Sequence, residues 1–249
     1  DSTVGLALHE GSHIKLSDFD FLKGLEHHIP QEYFNRAEVF GWDRYDVIGK
    51  VKNLLNYVED RRIDHYVFTS SPGYKGYYHS LYEKYFHAKV IDKALKSSEY
   101  TSLDWDSYIF RILNLTNKNS DLDALLGLRD IRSTIFSSVK NLKSTEDAFE
   151  IALKVFDILL DNVDVNVENP QEEEKEGQDE NGENPEGGEG SESNGGDEGS
   201  EDMKPSDSND GKSELSEPQK KQLENAINKQ KKFMEGDIPK KNLSKKDKK

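Results

Sequence analysis

From residue 2 to residue 164, apolar side chains recur at intervals of three and four, the spacing that lays them along one face of a helix. The clearest case is Val47, Val51, Leu54, Leu55, Val58, Ile63 and Tyr66, which predicts a helix over 46–67. It is stopped by Thr69-Ser70-Ser71-Pro72-Gly73, where proline and glycine cannot continue the ladder. Val4, Leu6 and Leu8 predict a helix over 2–16, and Ser17 to Leu22 a short capped one. His27-His28-Ile29-Pro30 then reads as an irregular connection. Further helices are predicted from about 77 to 100 and over 104–117, 121–141 and 144–164. The last carries Phe149, Ala152, Val155, Phe156, Leu159 and Leu160 as one stripe behind a Ser144/Asp147 capping box. No segment alternates with period two, so the predicted class is all-α.

The periodicity stops near residue 168. Residues 168–216 are Glu, Gly, Asn, Ser and Asp, with Met203 and Leu215 the only large apolar side chains. Too little apolar surface is present to offset the entropy of ordering, which predicts a disordered linker. This tract holds 18 acidic side chains against three lysines, enough by itself to account for the formal net charge of −15. The acidity therefore says little about what the folded part binds. After Pro218, Leu223, Ile227 and Met234 mark a thin-faced helix over 219–235, followed by a lysine-rich tail. The expected organisation is a helical domain over 1–167, an acidic linker over 168–216, and a helix with a basic tail over 217–249.

There is no cysteine, which leaves imidazole and carboxylate as the available metal-ligand chemistry. No apolar run reaches the 18 to 20 residues or so that span a bilayer, and no signal peptide is visible, so a soluble cytoplasmic protein without membrane partner is expected. The basic tail has no interleaved aromatic residue, which argues against nucleic acid. The chain begins with Asp rather than Met and reads as a piece of a longer protein.

The run His9-Glu10-Gly11-Ser12-His13 carries the most specific chemistry. Histidines four apart project from one face of a helix, one turn above the other, and can share an ion such as zinc. Glu10 then stands beside the open coordination position as general base and acid. A third ligand is expected from the helix holding Asn56-Tyr57-Val58-Glu59-Asp60-Arg61-Arg62-Ile63-Asp64, because carboxylates on a semi-buried face need a partner. Glu59 is the favoured ligand, with Asp60 orienting a histidine, and the reverse assignment stays open. Tyr77, Tyr78 and His79 follow that helix and are candidates for stabilising an oxyanion.

Together the His9–His13 run and the acidic helix resemble the gluzincin pattern. More narrowly they are similar to the metallopeptidase-like domains found beside von Willebrand A domains in bacteria and bacteriophages, relatives of a subunit of aerobic cobaltochelatase. Those domains also place an acidic tract before a von Willebrand A part, which in this chain would have to lie beyond Lys249. The resemblance implies a zincin-like helical core, a zinc-dependent hydrolase acting on peptide or protein, and a host-cytoplasm location if phage-encoded. It also implies an alternative, a non-proteolytic zinc-bearing adaptor working with a motor ATPase or von Willebrand A partner. The gluzincin helix reads Glu-x-x-x-Asp; with Asp60 in the aspartate place, Asn56 stands where the ligand would be.

Overall fold

In a computed structural model of the chain, residues 2–168 and 214–234 are described, and among them there are helices, turns and loops but no strand. The acidic tract over 169–213 and the lysine-rich tail over 235–249 lie outside the described residues, so the expectations for them stay as stated. All the described residues fall in one compact unit. No described helix is long and apolar enough to cross a membrane.

The eleven described α-helices run α1 (Ser2–Leu16), α2 (Phe19–Lys23), α3 (Gln31–Ala37), α4 (Arg44–Ser70), α5 (Lys75–Tyr85), α6 (Lys89–Lys96), α7 (Trp105–Leu113), α8 (Leu128–Ser138), α9 (Thr145–Asn162), α10 (Val165–Glu168) and α11 (Glu217–Met234). The longest, α4, opens on a capping box in which Asp43 accepts from the Asp46 N–H and Asp46 from the Asp43 N–H, each at 2.9 Å. It closes before Pro72, as the stop signal requires. Its apolar stripe packs along α9, burying Val47, Val51, Leu54 and Val58 in one core with Val155, Phe156 and Leu159. Full burial of each such aliphatic side chain contributes about 1.5–3 kcal/mol, so this pair is the spine of the unit.

Where the elements differ from expectation, local chemistry explains it. The stretch expected to be helical from about 77 to 100 is broken into α5 and α6. The helix expected over 121–141 begins only at Leu128, because Gly127 takes the left-handed conformation, φ 74°, just before it. Turn-forming Asn117, Asn119 and Asp121 fill the gap, Asn117 and Asp121 each accepting the backbone N–H two residues on. A short helix, α3, begins at Gln31, directly after Pro30, which stands at the N-cap in the extended conformation (φ −60°, ψ 142°).

The helix after the acidic tract belongs to the core. Leu215, Leu223 and Ile227 bury against Ile91, Leu95 and Phe110, and Phe233 enters the main core. Gln230 of α11 and Asn114 exchange amide hydrogen bonds of 3.0 and 3.2 Å, and Gln230 also donates to the Tyr85 carbonyl. Such a fully satisfied buried polar pair fixes the position of α11 in a way that an apolar contact alone does not.

Candidate metal centre

α1 lies against α4 and α5 and buries only two residues, Gly5 and His9. Gly5 sets the depth of that docking: a Cβ there would lie 2.3 Å from the Tyr77 carbonyl oxygen of α5. With the backbones this close, His9 one turn on is carried into the interior, while Val4 and Ile14 point to solvent. His13, a turn further, stands beside it, the two rings edge-on with centroids 4.8 Å apart.

Three ligand-type atoms converge there. His9 Nε2 and His13 Nε2 are 3.3 Å apart, Asp60 Oδ1 is 3.0 Å from His13 Nε2, and it is 3.6 Å from His9 Nε2. Donors held about 2.0–2.1 Å from a tetrahedral ion are roughly 3.3 Å from one another, so the triangle has the size such an ion needs. Asp60 Oδ2 is buried without a hydrogen-bond partner, as are His9 Nδ1 and Asp64 Oδ1. Buried carboxylates without partners are costly unless something positive joins them. His9, His13 and Asp60 therefore fit a divalent cation, in donor set, in spacing and in charge.

The third corner is Asp60, and the favoured reading of Glu59 as a ligand is corrected. Adjacent residues on a helix point about 100° apart, and α4 is turned so that Asp60 faces α1. Glu59 faces the N-terminus of α9 instead, where Arg62 grips its carboxylate from Nε at 2.8 Å and Nη2 at 2.6 Å. Thr145 and Ser17 also donate to it, at 2.9 and 2.8 Å. Arg62 in turn donates to the Leu16 and Lys143 carbonyls, so this buried clamp ties the end of α1 to α4 and α9.

Glu59 still reaches the site at one remove. Ser17 gives its proton to Glu59 and so accepts from His13 Nδ1, 3.0 Å away. That pins the proton of His13 on Nδ1 and leaves the Nε2 lone pair aimed at the centre. For His9 the group facing Nδ1 is Asp64, whose Oδ1 lies 3.8 Å away, beyond hydrogen-bond distance. Burial opposes a charge on His9, but Asp60, Asp64 and Glu10 together outweigh it and raise its pKa above 6.5. Asp64 is held below the ordinary carboxylate range although burial works the other way, because Arg61 and His9 lie beside it.

Asp64 was not singled out from the sequence, yet a signal was there. The acidic pattern with a spacing of four is Asp60-Arg61-Arg62-Ile63-Asp64, one turn later than the register that left Asn56 in the ligand's place. Asn56 has another task, donating to the Met234 carbonyl at the end of α11. Phe233, its neighbour, packs on His9 with ring centroids 5.0 Å apart.

Of the oxyanion candidates, only Tyr78 packs against a residue of the triangle. It is buried, its ring lies 6.2 Å edge-on from His9, and burial pushes its hydroxyl up to about 12 while the nearby Ser12 opposes the rise. Tyr77 turns aside, its backbone being what presses on Gly5, and His79 is exposed on the outer face of α5 near Glu83. Glu10 is half-buried, near enough to act on both His9 and Tyr78. The chain matches no protein-family model, no curated protein and no solved structure.

Proposed function

We propose that the chain is a zinc-dependent, peptidase-like hydrolase whose metal is held by His9, His13 and Asp60. The observation that carries the reading is the triangle of two imidazole nitrogens and one carboxylate oxygen, 3.0 to 3.6 Å on a side. Two neutral nitrogens and one oxygen are a ligand chemistry that suits zinc and leaves a coordination position for reactants. Zinc bound there supplies a Lewis acid that polarises a carbonyl and makes water a nucleophile near neutral pH.

The chain's own residues do the rest. The Glu10 carboxylate, directly after His9 and facing no competing cation, takes the proton of the attacking water and returns it to the leaving amine. The Tyr78 hydroxyl keeps its proton at neutral pH and offers a donor where negative charge develops on the substrate oxygen. The Ser17–Glu59 relay holds the His13 imidazole in register, and Asp64 faces His9 as a nearby negative charge.

A second reading, a non-proteolytic zinc-bearing adaptor for a motor ATPase or von Willebrand A partner, is favoured by the cover that Phe233 places on His9. One experiment separates the two. The full chain, loaded with zinc and desalted, is expected to keep about one ion, and His13→Ala and Asp60→Asn far less. Glu10→Gln should keep zinc while losing cleavage of an unstructured peptide by about 100-fold or more. Zinc retention with no cleavage by the wild type favours the adaptor, and failure of the wild type to retain zinc removes both.

A further inference from the structure

A cavity of about 540 Å³ opens between α4, α5 and the segments that follow α5 and α7, a size typical of small-molecule sites. Its walls combine an apolar surface, from Phe68 and the Tyr82 ring, with Arg61, Lys75 and His87. The one acid in the lining is Asp64, and it is already engaged: its Oδ2 accepts from the Tyr82 hydroxyl and lies 3.1 Å from Arg61 Nη2. Arg61 and Asp64 therefore cancel in charge. Lys75 remains, lying 5.9 Å from the Phe68 ring, and no carboxylate pairs with it among the described residues.

Two buried nitrogens in the lining have no partner in the protein, Arg61 Nε and His87 Nε2. The Arg61 side chain is 8% exposed. A guanidinium N–H kept from water and left unpaired costs a hydrogen bond that an acceptor entering the cavity would restore. His87 adds no donor: Nδ1 lies 3.0 Å from Glu83 Oε1, and donating there leaves Nε2 a lone pair.

We propose that this cavity binds a small organic monoanion, a carboxylate carried on an aromatic or aliphatic body. The apolar wall takes the body, and the Lys75 ammonium with the Arg61 Nε–H takes the carboxylate. A single uncompensated cation, Lys75, matches one negative charge rather than the two of a phosphate. The site is separate from the metal triangle, because none of His9, His13 or Asp60 lines it. It stands whether or not the chain cleaves peptides.

The test uses the full chain in metal-free buffer, so that a carboxylate cannot ligate an ion at the histidines. Phenylacetate, phenylacetamide and inorganic phosphate are titrated while amide shifts are followed by NMR. Phenylacetate should saturate below about 10 mM, at least about tenfold tighter than its neutral amide or phosphate, with shifts clustered on α4 and α5. Lys75→Gln, at an exposed position, should weaken it by about fivefold or more while keeping the wild-type spectrum elsewhere, and Lys75→Arg, which keeps the charge, should stay within about twofold of the wild type. Equal binding of acid and amide overturns the proposal, as does phosphate binding as tightly as phenylacetate. It is equally overturned by no saturation, or by wild-type affinity in Lys75→Gln.

Discussion

At the scale of single residues the centre turns on two neighbours, Glu59 and Asp60, that look alike in sequence and do opposite things. Asp60 faces two imidazoles with one oxygen buried and unpartnered, so its charge is spent on whatever cation arrives. Glu59 is saturated by Arg62, Ser17 and Thr145, so its charge is spent on the fold. Asp60→Asn is therefore expected to abolish tight zinc binding with little loss of stability in the metal-free protein. Glu59→Gln leaves the Arg62 guanidinium buried against a weaker partner and should cost about 2–4 kcal/mol, while the folded fraction still takes up zinc. Urea melts of the metal-free proteins, set beside their zinc content, read both effects. If Glu59→Gln lost zinc and kept its stability, the two roles would be reversed. His9, Glu10 and His13 are legible in the sequence because a spacing of four on a helix fixes their relative position without knowledge of anything else. The third corner of the triangle is not, because choosing between Glu59 and Asp60 requires the rotation of α4 about its own axis. That rotation is set by α9, α1 and the Arg62 clamp, contacts made 42 and more residues away in sequence.

At the scale of elements, the docking of α1 on α5 positions both histidines, and one missing methyl group permits it. Gly5→Ala would put a carbon 2.3 Å from the Tyr77 carbonyl oxygen and 3.1 Å from Leu81 Cβ. The oxygen is backbone and cannot rotate away, so α1 must lift, at a cost of about 1–3 kcal/mol and with His9 drawn off the triangle. Weaker zinc binding and a lower Tm are expected together. Gly11→Ala on the same helix meets nothing within 4 Å and should stabilise by up to about 1 kcal/mol. Identical changes six positions apart thus have opposite signs, which differential scanning calorimetry can check. A second test concerns the start of α9. There Asp147 accepts the Lys143 and Ser144 N–H groups, and these bonds hold its carboxyl below the ordinary 3.8. A depressed carboxylate stabilises the fold above its unfolded value and loses that contribution as pH falls through the folded one. Asp147→Ala should cost roughly 0.5–1 kcal/mol near neutral pH, and the difference from wild type should shrink below pH 3.8, as melts across that range would show. The long helices α4 and α9 are legible because their apolar stripes and caps are local facts. The break between α5 and α6 is not, since helix-compatible residues give way there, whereas the late start of α8 is written locally in Asn117, Asn119, Asp121 and Gly127, turn signals that apolar spacing alone overlooks.

For the whole molecule, the unexpected feature is that α11 belongs with helices more than a hundred residues before it. In sequence its apolar face is marked by Leu223, Ile227 and Met234 alone and faces nothing identifiable. In the structure those positions complete two clusters and place Phe233 against His9. Truncation before residue 214 should therefore expose Ile91, Leu95 and Phe110 and remove one wall of the metal centre, lowering Tm and zinc affinity alike. If the fragment 1–170 were as stable as the full chain and bound zinc as well, α11 would be an accessory. The same closure has a consequence for how the protein can be cut. Since everything described before residue 169 and after residue 213 forms a single unit, the covalent connection between the two described pieces keeps them at high effective concentration. Supplied separately, residues 1–170 and 212–249 should reassemble as a bimolecular complex with a Tm that rises with concentration, and the chain is in that sense a split protein that is already joined.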